Sequence, residues 1–274
     1  MEKSYYDLTV REIVEMGGEV KTPQRVNSDK AFKKKMSQKQ LGNERFIRVK
    51  ERFGEVKKHL TLEQSGLLMF LVGFVKINEE GKLFNNGERM TVSDIAKLVG
   101  KSERQTRAVL SELEAMSLIY RDKVGRQVFV SLGETFFNCG YSEESFKFVK
   151  VYKTRLKEIT KKLALNEIGF LMLLLTHFHW ETHLLVDNPN ERDFSKLIVW
   201  QRKHIAEELG LSMDFVKRTI PKLRNVQAIV EVKSAKTGIV LDPSLVCRQE
   251  QKPSFDKVVR TINEAGLTKE NFKK

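Results

Sequence analysis

Between Thr91 and Leu113 apolar residues recur twice at helical spacing, and the pattern then switches to a period of two. Val92, Ile95, Ala96 and Val99 stand at i, i+3, i+4 and i+7, one face of a helix. Gly100 follows and can take the left-handed conformation that ends a helix. Ser102 opens a second helix. With Gln105 three residues on it forms a capping box, in which each side chain satisfies an N–H that the first turn leaves free. Thr106, Val109, Leu110 and Leu113 make the buried stripe of that helix. Two β-like runs come next, Leu118–Arg121 and Gln127–Val130, around the polar loop Asp122–Arg126. Two helices joined by a Gly-containing turn are the helix-turn-helix pattern, and the appended hairpin makes it a winged helix.

The pattern occurs twice. Phe46-Ile-Arg-Val-Lys50 resembles Phe148-Val-Lys-Val-Tyr152, and Gly66-Leu-Leu-Met69 resembles Gly169-Phe-Leu-Met172, at a shift of 102 or 103 residues. Leu62–Ile77 and Leu165–His179 are apolar on most sides, so each predicts a central buried helix. The alternating runs at Phe46 and Phe148 fit a strand or a helix start. About seven extra residues in Glu181–Leu197 lengthen the second copy, after which the shift is 110. Ile205, Ala206, Gly210 and Ser212 then match Ile95, Ala96, Gly100 and Ser102, and a hairpin follows over Ile229–Lys233 and Ile239–Asp242. Pro221 falls inside the second reading helix, where it lacks an N–H and clashes with the carbonyl of Lys217; a kink or an end is expected there.

The fold class expected is therefore α+β, mainly α with small β-hairpins, as tandem winged helix-turn-helix domains at 46–135 and 148–248. A basic N-terminal arm (1–45), a linker (136–147) and a polar tail (249–274) complete the chain. The arm is expected to pack poorly, with a short helix near Tyr5–Met16, a loop over Met16–Ser28, and Lys33-Lys34-Lys35 as phosphate contacts or a solvated run. In the tail, Phe255, Val258, Val259 and Ile262 have the spacing of a short amphipathic helix that docks back or pairs with a partner.

Charge decides what the exposed helix faces are for. The net charge of +13 favours a polyanionic partner, because Lys and Arg displace the counterions of nucleic acid. In the first copy Lys101, Ser102, Arg104, Gln105, Arg107 and Ser111 lie at the start or on the outside of the second helix, and Lys123 and Arg126 sit on the hairpin. In the second copy the corresponding set is Met213, Asp214, Lys217 and Arg218, with Lys233 and Lys236 on the hairpin. Arg reads guanine bidentately, while lysines at hairpin tips hold phosphates. Double-stranded DNA is the expected partner. The chain itself, as a dimer, and a helicase-loading protein are further candidates. A charged, solvated surface is the alternative use of the same residues.

Other chemistry is excluded motif by motif. Gly100-Lys101-Ser102 resembles the end of a phosphate-binding loop, but Ile95 stands where that loop needs glycine. His177-Phe178-His179 has the spacing of a nickase metal site, yet all five tyrosines lie upstream of it. His179-Trp-Glu-Thr-His183 lacks the Glu directly after the first His that metalloproteases use. His179 and His183 alone make a weak, two-ligand metal site. Cys139 and Cys247 suit neither a disulfide framework nor a zinc cluster, and both are expected reduced. The expectation is a non-enzyme without cofactor or metal. The opening MEKSYYDLTV has no apolar signal core, and no apolar run is long enough to span a bilayer. A cytoplasmic, nucleoid-associated location follows, with no membrane partner.

From Phe46 to Arg248 the chain resembles the winged-helix replication proteins of Firmicute plasmids and phages. The resemblance rests on Phe148-Val-Lys-Val-Tyr152, an apolar helix, a helix-turn-helix, and a hairpin ending Ile239-Val-Leu-Asp-Pro-Ser-Leu245. The first copy ends with Phe136, Phe137 and Gly140 as that family does, but carries Ser131-Leu132 where the family has Asn-Pro. The resemblance implies binding at an origin or an operator. Replication initiation is the first expectation and transcriptional regulation the second. A scaffold with one DNA-reading head and one interaction module is the third.

Overall fold

The computed structural model describes residues 8–40, 45–138 and 147–274, with the side chains of 33–40 left aside. The protein is α+β with small antiparallel sheets. Residues 1–43 and 44–274 form separate units. In the first, Thr9 caps helix α1 (Val10–Glu15) through a capping box with Glu12. An 18-residue helix α2 (Pro23–Gln40) begins inside the expected loop and takes its last part, 23–28. Two local features explain it: Pro23 at the first helical position has the right φ already, and the Thr22 hydroxyl accepts from Arg25 N at 3.2 Å. Neither α1 nor the described part of α2 buries a side chain, and Val10, Val14, Met16 and Phe32 are exposed. The lysine run 33–35 lies outside the described side chains.

The second unit is built on a four-stranded sheet in the order β10-β7-β1-β6, with β1 at Phe46–Lys50, β6 at Phe137–Asn138, β7 at Phe148–Tyr152 and β10 at Val246–Cys247. Both alternating runs are thus strands. β1 and β7, the equivalent segments of the two copies, pair antiparallel about Arg48↔Lys150, with Phe46 opposite Tyr152 and Lys50 opposite Phe148. The outer strands repeat the relation: Val49 pairs with Phe137, and its counterpart Val151 pairs with Val246. Exchanging the copies maps the sheet onto itself, so the chain contains an internal pseudo-two-fold axis.

Helices α4 (Leu62–Val72) and α8 (Leu165–Leu174) cross on the same axis. A Cβ at Gly66 would lie 2.0 Å from the Leu165 carbonyl oxygen, and one at Gly169 would lie 2.0 Å from that of Leu62. These contacts are reciprocal, and only glycine allows the backbones so close. Both helices stop sooner than their apolar runs. Lys57 donates to the Leu173 carbonyl in the last turn of α8, and Lys153 donates to the Val75 carbonyl, three residues beyond α4. One hydrophobic core runs through both copies, from Ile47 and Phe53 to Leu241 and Val246. The expected division at 136–147 is therefore not a tether between two cores. Part of it, Phe137–Asn138, is strand β6, and residues 139–146 lie outside the described ones.

The extra residues of the second copy join the C-terminal segment in a second, smaller core. Leu184, Val186, Leu197, Val199 and Val240 meet Val258 and Ile262 of α11 (Phe255–Glu264) and Phe272 beyond it. The tail docks on its own chain through the face its spacing indicated. Among the described residues no helix is long and apolar enough to cross a membrane.

Candidate nucleic-acid interface

Each copy presents two helices, a tight turn and a hairpin. In the first, α5 (Val92–Val99) begins in a capping box of Thr91 with Asp94 and ends at Gly100, whose φ of 67° is left-handed. Ser102 caps α6 (Glu103–Ala115), its Oγ accepting from Gln105 N at 3.2 Å. Thr106, Leu110 and Leu113 are buried, so Lys101, Ser102, Arg104, Gln105, Arg107 and Ser111 are left exposed. Strands β4 (Ile119–Val124) and β5 (Gln127–Leu132) form a longer hairpin than expected. Val124 pairs with Gln127 across the two-residue turn Gly125-Arg126, with Gly125 at the first central position, φ 59°. Lys123 and Arg126 stand exposed at its tip.

The second copy repeats this with α9 (Arg202–Glu208), Gly210 at φ 62°, α10 (Met213–Asn225) and strands β8 (Ile229–Lys233) and β9 (Thr237–Leu241). Pro221 does not end α10, which runs on to Asn225. A proline in a helix costs about 3 kcal/mol. Val216, Ile220 and Leu223, fully buried on either side of it, contribute about 1.5–3 kcal/mol each and outweigh that. The carbonyl left without its helical partner belongs to Lys217, an exposed residue.

Helices α6 and α10 are tied to the crossing by equivalent pairs with different charges. Gln64 of α4 donates to Glu112 of α6 at 2.6 Å; at the matching positions Lys222 of α10 donates to Glu167 of α8. Helix-to-hairpin ties swap sign outright: Arg121 pairs with Glu114 at 2.5 Å in one copy, Glu231 with Arg224 at 2.9 Å in the other. Sequence reading missed these anchors, although aligning the two copies shows the exchange. Helices α6 and α10 thus dock beside the crossed N-terminal halves of α4 and α8, one in each copy.

The candidate contacts separate into free and engaged groups. Among the described residues Arg104, Lys123, Arg126, Lys217 and Lys233 have no ion-pair partner. Arg107 pairs with Glu103 one turn earlier at 2.7 Å, and Lys101 with Glu63 at 3.1 Å; both remain exposed and available for exchange to phosphate. Ser102 and Gln105 serve each other in the cap, while Ser111 accepts from Arg121 at 3.4 Å. Arg218 donates to the Asp214 carbonyl at 3.3 Å, and the Asp214 carboxylate sits in the first turn, where it complements the helix dipole.

Two of the candidate contacts are partly covered. Met213 is half-buried and packs on the core, because the second turn presents an apolar Leu211 and Phe215 beside it. Lys236 is also half-covered, its Nζ 5.8 Å from the centre of the Phe272 ring. The C-terminal segment covers the outer face of that hairpin through Val232 and Val240. The first hairpin instead carries the Arg89–Asp122 pair there and exposes Tyr120 and Val124.

The histidines hold the insertion together. His179 donates from Nε2 to the Glu191 carbonyl at 2.7 Å and accepts at Nδ1 from Thr182 N at 3.1 Å. His183 donates to the Leu241 carbonyl at 3.2 Å, and His177 stacks on Trp200 with ring centres 4.3 Å apart. Burial drives all three below the ordinary imidazole range, His177 to about 2 with help from Lys57 and Arg248, and His183 to about 4. Among the described residues no three His, Cys, Asp or Glu side chains come together to hold a metal. No protein-family model, curated protein or solved structure matches the chain.

Proposed function

We propose that this chain is a sequence-specific double-stranded-DNA-binding protein made of two winged helices fused about an internal two-fold, and that it starts replication of a plasmid or phage by binding repeats at an origin. One observation carries the DNA reading: two capped helices, each with exposed unpaired cations, dock at one crossing on either side of a pseudo-dyad. Duplex DNA has local two-fold symmetry, so a symmetric pair of reading helices suits two half-sites in opposite orientation. Their outward residues differ, Arg104 and Arg107 against Asp214, Lys217 and Arg218, which favours unlike half-sites. The origin role rests on the resemblance of Phe46–Arg248 to plasmid and phage replication proteins. It predicts several copies of the site in one region, where a regulator would have one or two over a promoter.

The test is selection of bound duplexes from a random pool with the whole chain, followed by footprinting. One continuous protected stretch with two unlike halves is expected from a single chain. Arg104→Ala is expected to lose about 1–3 kcal/mol on the selected duplex and much less on random DNA. Equal losses on both would demote Arg104 to a backbone contact, and no selected sequence at all would sink the reading.

A further inference from the structure

The second copy differs from the first where its helix pair begins. Thr91, Val92 and Ser93 of the first copy correspond to Gln201, Arg202 and Lys203, so two cations replace an apolar residue and a serine. The backbone differs there too. In the first copy Thr91 bridges Phe129, which joins the start of α5 directly to its hairpin. In the second copy the insertion comes between. Leu184 bridges Val240 of β9, Leu185 accepts from Trp200 N at 2.8 Å, and Val186 bridges Val199. One strand width, about 4.8 Å, is thereby added between the start of α9 and the hairpin.

The gap is a groove of about 350 Å³ lined by Gln201, Arg202, Lys203, Glu231, Thr237 and Ile239. Glu231 is the acid of that lining, and its two oxygens are taken by Arg202 at 2.7 Å and Arg224 at 2.9 Å. The groove is left with net positive charge. Lys203 and Thr237 are exposed, and among the described residues Lys203 has no ion-pair partner. Lys233 pairs with Thr237 across the hairpin, so its side chain stands on the same face, exposed and likewise without an acid. A hydroxyl between free lysines on the helix side and the hairpin side suits an anion with several oxygens. The rest of the second head offers less to base edges than α6 does, because Asp214 faces outward and Met213 is half-buried.

We propose that this groove holds DNA-backbone phosphate through Lys203, Lys233 and the Thr237 hydroxyl, which makes the second head the anchor and the first the principal reader. The inference rests on the duplex-DNA reading above. Such a grip adds affinity without sequence information, because phosphates are the same at every step. It also fixes the register of the first head on its half-site.

The test uses the full chain with the double variant Lys203→Ala, Lys233→Ala, its Arg counterpart, and Lys257→Ala as a control. Lys257 is an exposed lysine of α11, whose Val258 packs with Val232 and Val240 on the opposite face of the hairpin. Affinity is measured for selected and random duplexes between about 50 and 200 mM salt. Each lost phosphate contact flattens the plot of log affinity against log salt by about 0.9, so the Ala double is expected to lower the slope by about two on both duplexes. The Arg double and Lys257→Ala keep the wild-type slope, and the urea midpoint of the Ala double stays unchanged because both side chains are exposed. A wild-type slope in the Ala double overturns the groove. So does a flattening by Lys257→Ala of the same size per lysine, which would make net charge the cause. Failure of the unmodified chain to bind any duplex is a different result and removes the duplex reading itself.

Discussion

Gly169→Ala is expected to be the most damaging single substitution in the chain. The added methyl would sit 2.0 Å from the Leu62 carbonyl oxygen and 2.9 Å from Gly66 N, both backbone atoms of the opposing helix. No rotamer relieves that contact, so α4 and α8 must move apart through the centre of the shared core. Ordinary overpacking costs about 1–3 kcal/mol, and separating two backbones costs more. Against a total stability of about 5–15 kcal/mol, a loss of at least about 4 kcal/mol is expected from this change or from Gly66→Ala. The double variant is expected not to fold cooperatively. Gly54→Ala is the control. Its nearest neighbours are side-chain atoms of Thr176 at 3.6–3.7 Å, ordinary contact, and a change below about 1 kcal/mol is expected. Urea unfolding followed by circular dichroism separates these outcomes. A wild-type midpoint for Gly169→Ala would mean that the helices do not cross at the glycines. Because the copies share the sheet and the core, 46–140 and 148–274 expressed apart have no complete core of their own.

Acid is expected to unfold this protein well before its carboxylates protonate. The folded state keeps His183 at about 4 and His177 at about 2, while the unfolded chain titrates histidine near its ordinary 6.5. Below 6.5 the unfolded state binds more protons, so stability is full above that pH and falls as pH drops towards 4 and beyond. The His183 shift alone corresponds to a loss of about 3 kcal/mol by pH 4, and His177 adds to it over the same window. Lys57 acts with the same sign at higher pH. Burial beside Arg248 and Lys58 lowers it to about 7, so stability rises from pH 7 towards 10 as the unfolded lysine gives up its proton. Urea midpoints are expected to climb from pH 4.5 to pH 9 rather than peak near neutrality. His177→Phe keeps the stack on Trp200 and removes the titration, so it should flatten the acid limb. An acid limb as steep as wild type in that variant would show that other groups set it.

How much of this was legible in the sequence differs from one element to the next. The paired helices of each copy were readable because their signals are local. Gly100 and Gly210 end helices by their own left-handed φ, Ser102 and Ser212 cap the next ones, and the apolar stripes recur every three or four residues. The candidate reading face followed from the same arithmetic, since whatever is not in the stripe points outward. What that arithmetic leaves out is cover by neighbours distant in sequence. Met213 and Lys236 look free until the core and Phe272 are brought beside them. At Pro221 the local rule predicted a kink or an end; α10 does not end there, because the burial of Val216, Ile220 and Leu223, which that rule omits, holds the helix together.

The relation between the two copies belonged to the tertiary structure alone. The sequence displayed the repeat and even the paired glycines Gly66 and Gly169. It did not indicate that β1 would pair with β7, or that each glycine would face the other copy's helix. Strand pairing and helix crossing bring together residues about a hundred positions apart, and no local periodicity encodes which partner is met. Two copies of one pattern are compatible with two separate cores or with one, and the outcome turns on which surfaces are apolar on all sides. α4 and α8 are apolar nearly all round, so neither could be covered by its own small unit, and burying them against each other fused the copies into one body.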